Sequence, residues 1–190
     1  MVELKDFDNG VDSQWCPGCS NFAILQAEKR AFVELGIMPH ELCLVSGIGQ
    51  AAKLPHYLNC NFFNGLHGRP IPVATAIKTV NPALAVVVNT GDGDCYGEGG
   101  NHFLHAIRRN PDITLIVHNN FLYALTKGQA SPTTPQDAKR SLQVRGVKLL
   151  PFEPITTAIA LGCTFVARGF AGDFKALSSL VVQAVRHRGL

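Results

Sequence analysis

The segment from Leu84 to Asn120 leaves few folds open to the chain. Leu84 to Asn89 is a continuous apolar, β-branched run, the pattern of a parallel strand buried on both faces. It ends in Gly91-Asp92-Gly93-Asp94. After Glu98, the residues Phe103, Leu104, Ala106 and Ile107 recur at helical spacing, and Asn110-Pro111 halts that helix before a second apolar strand, Ile113 to Val117. Asn119-Asn120 closes the unit. Strand, crossover helix and strand predict an α/β fold, a parallel sheet with helices on both faces.

Strand ends on one edge of a parallel sheet are neighbours. Asp92 and Asn120, 28 positions apart, can therefore meet at the carboxyl edge, where open α/β sheets bind ligands. The Asp92 carboxylate, the Asn120 amide and the backbone carbonyl of Leu122 are the kind of oxygen set that Mg²⁺ takes together with phosphate oxygens. Gly91 and Gly93 let the backbone approach a phosphate, and the following helix offers it N-terminal N–H groups. Asp94 belongs to the same turn.

With 190 residues, 46% hydrophobic and 16% charged, the chain can bury one sizeable core, so 1–190 is read as a single domain. A net charge of +3 is too small to argue for nucleic acid. Met1 to Gly10 carries Glu3, Asp6 and Asp8 rather than a basic start and an apolar run, and no apolar stretch reaches the roughly 18 residues that span a bilayer. A cytoplasmic chain with no membrane segment is expected. Lys139, Arg140, Arg145 and Lys148 cluster without an acid; they suit an acidic protein partner or a solvated loop.

Other elements read along the chain are a helix from Asn21 to Leu35, a strand from Leu42 to Val45 and a helix from Ile71 to Val80. Beyond the binding loop Phe121 to Gln129 and the Pro-rich connection at 131–136 come a helix from Ile155 to Leu161, a strand from Thr164 to Ala167 and a helix from Phe174 to Val185. Ser46, Gly47, Ile48 and Gly49 make a close-approach turn on the same sheet edge as Asp92. Six cysteines favour metal or redox chemistry over disulfides in a cytosolic chain. Only Cys16 and Cys19, in Cys-Pro-Gly-Cys, form a motif, which can serve as a thiol pair, half of a zinc site or half of an iron–sulfur site. A thiol pair expects a preceding strand and zinc a second pair of similar spacing, and neither is present.

With the neighbours GDGD, GGNHF, HAIRRNPDIT and LTKGQ, the segment resembles the thiamine diphosphate motif, a GDG followed a little under thirty residues later by Asn. Over most of its length the chain is similar to the β subunits of 2-oxoacid:ferredoxin oxidoreductases, most of all to 2-oxoglutarate-type synthases. The resemblance implies thiamine diphosphate held through Mg²⁺, a [4Fe–4S] cluster with Cys16 and Cys19 as ligands, and oxidative decarboxylation of a 2-oxoacid to an acyl-coenzyme A with ferredoxin as electron acceptor. It implies an α subunit that supplies the glutamate activating the cofactor. Lys53 and Lys127 would face substrate carboxylates, His67 of His-Gly-Arg would stand near the cofactor, and Leu125, or else Leu122, would prop it. The family's third cluster cysteine follows the Gly-Ile-Gly turn, where this chain has Gln50, and Cys60 is taken as its substitute. The fourth lies in a C-terminal segment beyond Leu190, expected to be absent. Two other classes stay open: half of a non-oxidative thiamine diphosphate-dependent decarboxylase or synthase, and a zinc-stabilised binding module.

Overall fold

A computed structural model describes Met1–Leu190. Its sheet has four parallel strands, β1 (Leu42–Ser46), β2 (Asn61–Asn64), β3 (Ala85–Gly91) and β4 (Thr114–His118), in the order β2-β1-β3-β4. Five helices accompany it: α1 (Asn21–Glu34), α2 (Pro70–Val80), α3 (Gly100–Arg109), α4 (Pro154–Ala160) and α5 (Phe174–Arg186). The chain winds outward from β1 to β2, then returns through α2 to β3 and on to β4. The connections therefore diverge between β1 and β3, which makes the carboxyl ends of those two strands the switch point where ligands sit in open parallel sheets.

Side-chain alternation builds the layers. Leu42 and Leu44 of β1 and Val87 of β3 pack with Leu25 and Phe32 of α1 on one face. Cys43, Val45, Val86 and Val88 point the other way, against Ile71 and Ala74 of α2 and Phe103, Ala106 and Ile107 of α3. The central strands are apolar on both faces because both faces are covered. Each fully buried Leu or Val here is worth roughly 1.5–3 kcal/mol relative to exposure. Helix ends follow local chemistry: Asn110 turns left-handed (φ 47°) ahead of Pro111 to end α3, and the Asp173 carboxylate accepts the Ala176 N–H to start α5.

One expectation changes, and two features go beyond the sequence reading. Thr164 to Ala167 is not a strand: the Phe165 N–H bonds the Leu190 carbonyl rather than a ladder partner, and the sheet ends at β4. Asn61–Asn64 is a strand although all four residues are exposed; backbone pairing to β1 holds it, and with Phe62 and Phe63 adjacent and both exposed it shows no alternating apolar face. The helix after the GDG turn does not begin at once. Gly93–Glu98 forms one wide π turn, with the Gly99 N–H donating to the Asp94 carbonyl, and α3 starts only at Gly100.

Candidate functional site

Asp94 organises the switch point. Its Oδ1 accepts the backbone N–H groups of Ile48 (3.2 Å) and Gly68 (2.9 Å), and its Oδ2 accepts the Thr90 hydroxyl (2.7 Å). Expected among the cofactor ligands, this carboxylate is spent on the protein, where it ties the turn after β1, the His67-Gly68 turn and the GDG loop together. His67 Nδ1 lies 3.6 Å from Asp94 Oδ1 with the ring largely exposed. The close approach requires glycine. A Cβ on Gly47 would collide with the Asp94 carboxylate, and one on Gly68 (φ +66°) would lie 2.4 Å from the backbone of Glu98 and Gly99. Gly68→Ala is expected to cost on the order of 2–3 kcal/mol through left-handed strain and overpacking, read as a lower denaturant midpoint at unchanged slope.

Asp92 is 1% exposed and presents its two oxygens differently. Oδ2 accepts two hydroxyls, Ser131 Oγ at 2.6 Å and Thr133 Oγ1 at 2.6 Å. No protein donor reaches Oδ1. Thr133 also approaches Asn119 Oδ1 at 2.9 Å, and Thr134 Oγ1 donates to the Phe121 carbonyl at 2.6 Å. The connection at 131–134 is therefore a clamp between the GDG loop and the loop after β4. Its residues read as a plain Pro-rich link in the sequence; three hydroxyls in Ser-Pro-Thr-Thr were the available signal.

A cleft of about 1230 Å³ opens at this edge, lined by Cys16, Cys19, His67, Asp92, Asn120 and Leu125 among others. The Asn120 side chain is exposed and caps its own turn by accepting the Leu122 N–H; the structure brings Asn119, not Asn120, to the Asp92 clamp. Lys53, half-exposed on the 3-10 turn Ala51–Tyr57, and Lys127, exposed at φ 82°, do not line the cleft. Ser46 is fully buried and its hydroxyl accepts from Asn64. Tyr123 lies over the π turn, with its ring where a Cβ on Gly93 or Gly97 would stand.

An oxygen set fits a hard cation here. A carboxylate oxygen without a protein donor, an amide oxygen and a backbone carbonyl border the same edge, and phosphate oxygens and water would complete six-fold coordination. The iron–sulfur expectation fares differently. Trp15 Nε1 donates to the Gln50 carbonyl at 2.8 Å, which holds the Cys16–Cys19 segment at the carboxyl edge. Cys60, the substitute third ligand, precedes β2, whose first residue pairs with Cys43. That places Cys60 at the amino edge, on the order of 10 Å of strand away from the turn after β1. Burial, reinforced by Cys43, pushes its thiol up to about 12, so it is also a poor ligand. Nowhere do three His, Cys, Asp or Glu side chains converge. Gln50 Oε1 is buried without a partner, but an amide oxygen is too hard to replace a thiolate. Two thiolates do not complete a four-thiolate cluster site.

Behind the site lies a buried polar chain that the sequence reading missed. His118 Nδ1 meets Asn21 Oδ1 and its Nε2 meets Asn89 Oδ1, both at 2.9 Å, while Asn89 Nδ2 donates to Glu28 Oε2 at 3.2 Å. Burial lowers His118 to about 4 and raises Glu28 to about 8, so both are neutral near pH 7. A neutral imidazole has one N–H. It is satisfied when Nε2–H donates to Asn89 and the Asn21 amide turns its N–H to Nδ1.

Comparison with known proteins shows the family and the fold. Residues 45–190 match the family of the thiamine pyrophosphate enzyme C-terminal TPP binding domain. The 2-oxoacid:ferredoxin oxidoreductase subunit beta of Saccharolobus solfataricus is 49% identical over 181 residues, covering 94% of this chain and 59% of that protein. The 2-oxoglutarate synthase subunit KorB of Archaeoglobus fulgidus is 42% identical, covering 92% and 65%. A solved 2-oxoglutarate:ferredoxin oxidoreductase from Magnetococcus marinus, with 2-oxoglutarate, coenzyme A and succinyl-CoA bound, superposes at a TM-score of 0.96 with 37% identity, over 99% of this chain and 65% of that one. The chain thus spans about three-fifths of the relatives it matches. No helix is long and apolar enough to cross a membrane.

Proposed function

Because the chain belongs to the thiamine pyrophosphate enzyme C-terminal domain family, we propose that it is the cofactor-holding β subunit of a 2-oxoacid:ferredoxin oxidoreductase, with 2-oxoglutarate the favoured substrate. The observation that carries this reading is Asp92, buried at the switch point beside the GDG loop with one carboxylate oxygen held by two hydroxyls and the other without a protein donor. Similarity to subunits named for 2-oxoacid and 2-oxoglutarate chemistry supports the substrate class.

Asp92, Asn120 and the Leu122 carbonyl, which line one cleft, would hold the Mg²⁺ that accompanies the diphosphate. Gly91 and Gly93, which line the same cleft, leave the backbone free to approach that anion. Leu125 and His67, which line the cleft, would support the cofactor and stand near it, and Lys53 and Lys127, outside the lining, would attract the substrate's carboxylates by charge. Thiamine diphosphate, when bound, supplies the carbanion chemistry of decarboxylation. A second subunit contributes the activating glutamate, so the working site lies at an interface; coenzyme A takes the acyl group and ferredoxin the electrons.

Co-purification with its partner subunit tests this. The complex is expected to reduce ferredoxin only when both 2-oxoglutarate and coenzyme A are present, while the chain alone does not turn over. Decarboxylation to a free aldehyde without any electron acceptor would instead favour the non-oxidative class.

A further inference from the structure

Asp92 is held in a way that selects how it can coordinate. Both clamp hydroxyls converge on Oδ2 at 2.6 Å, the short range of hydroxyl-to-carboxylate bonds. Ser131 and Thr133 are 6% and 4% exposed, so water does not compete for these bonds. The clamp is itself anchored. The Ser131 N–H donates to Thr134 Oγ1 (2.8 Å), which donates on to the Phe121 carbonyl (2.6 Å). Thr133 has one proton to give, and the carboxylate at 2.6 Å takes it ahead of the Asn119 amide oxygen at 2.9 Å. Oδ2 thus has two of its lone-pair directions filled, whereas Oδ1 has none filled by protein.

We propose that Ser131 and Thr133 are positioning residues that restrict Asp92 to one-oxygen coordination, and so make this site choose Mg²⁺ over Ca²⁺. The proposal rests on reading the site as the diphosphate cation site. Its chemistry is general: Mg²⁺ demands near-octahedral geometry and accepts single carboxylate oxygens, while Ca²⁺ takes six to eight ligands at longer distance and often grips both oxygens of a carboxylate. With Oδ2 fixed to two hydroxyls, the bidentate grip is closed. Ser131 and Thr133 act through Asp92 and need not touch the cation, and second-shell groups of this kind are typically worth about 10–100-fold in metal affinity.

The test is calorimetric titration of thiamine diphosphate into the full chain with its partner, in Mg²⁺ and separately in Ca²⁺. Wild type is expected to bind more tightly with Mg²⁺. The double variant Ser131→Ala, Thr133→Val is expected to lose about tenfold or more with Mg²⁺ and much less with Ca²⁺, so the preference shrinks. Thr133→Ser keeps the hydroxyl and is expected to keep the preference, an outcome that a purely structural role for the side chain's bulk would not produce. If the double variant unfolds, Ser131→Ala alone, which removes one of two donors, is expected to show a partial loss in the same direction. A variant that binds in both metals as wild type does would overturn the clamp while leaving the cofactor assignment intact. Absence of any cation-dependent binding by wild type would overturn the cofactor assignment itself.

Discussion

Asp92→Ala and Asn120→Ala are expected each to weaken Mg²⁺-dependent thiamine diphosphate binding by at least about a hundredfold, since each deletes a direct ligand where even supporting residues are worth about 10–100-fold. Neither loss is explained by collapse of the fold. Asn120 is exposed and its side chain meets only the Leu122 N–H, so its removal costs at most a turn. Asp92 is different: deleting it leaves the Ser131 and Thr133 hydroxyls without their shared acceptor, which costs on the order of 1–3 kcal/mol. Asp92→Asn serves as the control, because its amide oxygen can still accept both hydroxyls while the charge that attracts the cation is gone. Calorimetry measures the binding, and thermal unfolding of the same samples measures the fold. Wild-type affinity in Asp92→Asn would remove Asp92 from the cation site.

The second large effect concerns Glu28, fully buried with Oε1 unpartnered and Oε2 bonded only to Asn89. Desolvation raises its folded pKa to about 8 from the ordinary 4.5, while the Asn89 bond opposes part of the rise. Between those values the folded state holds a proton that the unfolded state has released, so stability falls as pH rises from about 4.5 to about 8. His118 works in the opposite sense: its folded pKa is about 4 against 6.5, the unfolded state binds the extra proton, and stability rises across that window. The two offset each other between pH 4.5 and 6.5, and the Glu28 loss stands alone from 6.5 to 8. Glu28→Gln is neutral at every pH. It is expected to remove an alkaline destabilisation on the order of 3–5 kcal/mol, and because His118 titrates alike in both proteins, the variant gains on wild type steadily between about pH 4.5 and about 8 and no further above that. Parallel stability–pH curves for the two proteins would contradict a neutral buried Glu28.

The network also marks where sequence reading stops. β1, β3 and β4 were legible because strands covered on both faces must be apolar throughout, and GDG with Asn-Asn at two strand ends pointed to one sheet edge. Asn89 and His118 stood at the ends of those apolar runs as visible polar intrusions. Asn21 and Glu28, seven residues apart on α1, share a helix face, but nothing in the sequence says that this face meets the strand ends. Asn61–Asn64 escaped notice because backbone pairing, not burial, holds it. Thr164 to Ala167 had a strand's composition and found the chain's own Leu190 instead of a sheet edge. Cys60 is close in sequence to the turn after β1 but stands at the other sheet edge, a strand's length away, because the residue after it pairs with Cys43. Ser131 and Thr133 are the most instructive omission, since hydroxyls carry no motif until the fold brings a carboxylate to them.

Under the proposed function, the switch point between β1 and β3 holds the cofactor's diphosphate through a cation on Asp92. A crystal structure of the chain with its partner, grown with thiamine diphosphate and Mg²⁺, measures this most directly. The predicted result is a metal about 2.0–2.1 Å from Asp92 Oδ1, with the Asn120 amide and Leu122 carbonyl also coordinated and Oδ2 still bonded to Ser131 and Thr133. A diphosphate bound elsewhere on the chain, or a metal with no bond to Asp92, would contradict it.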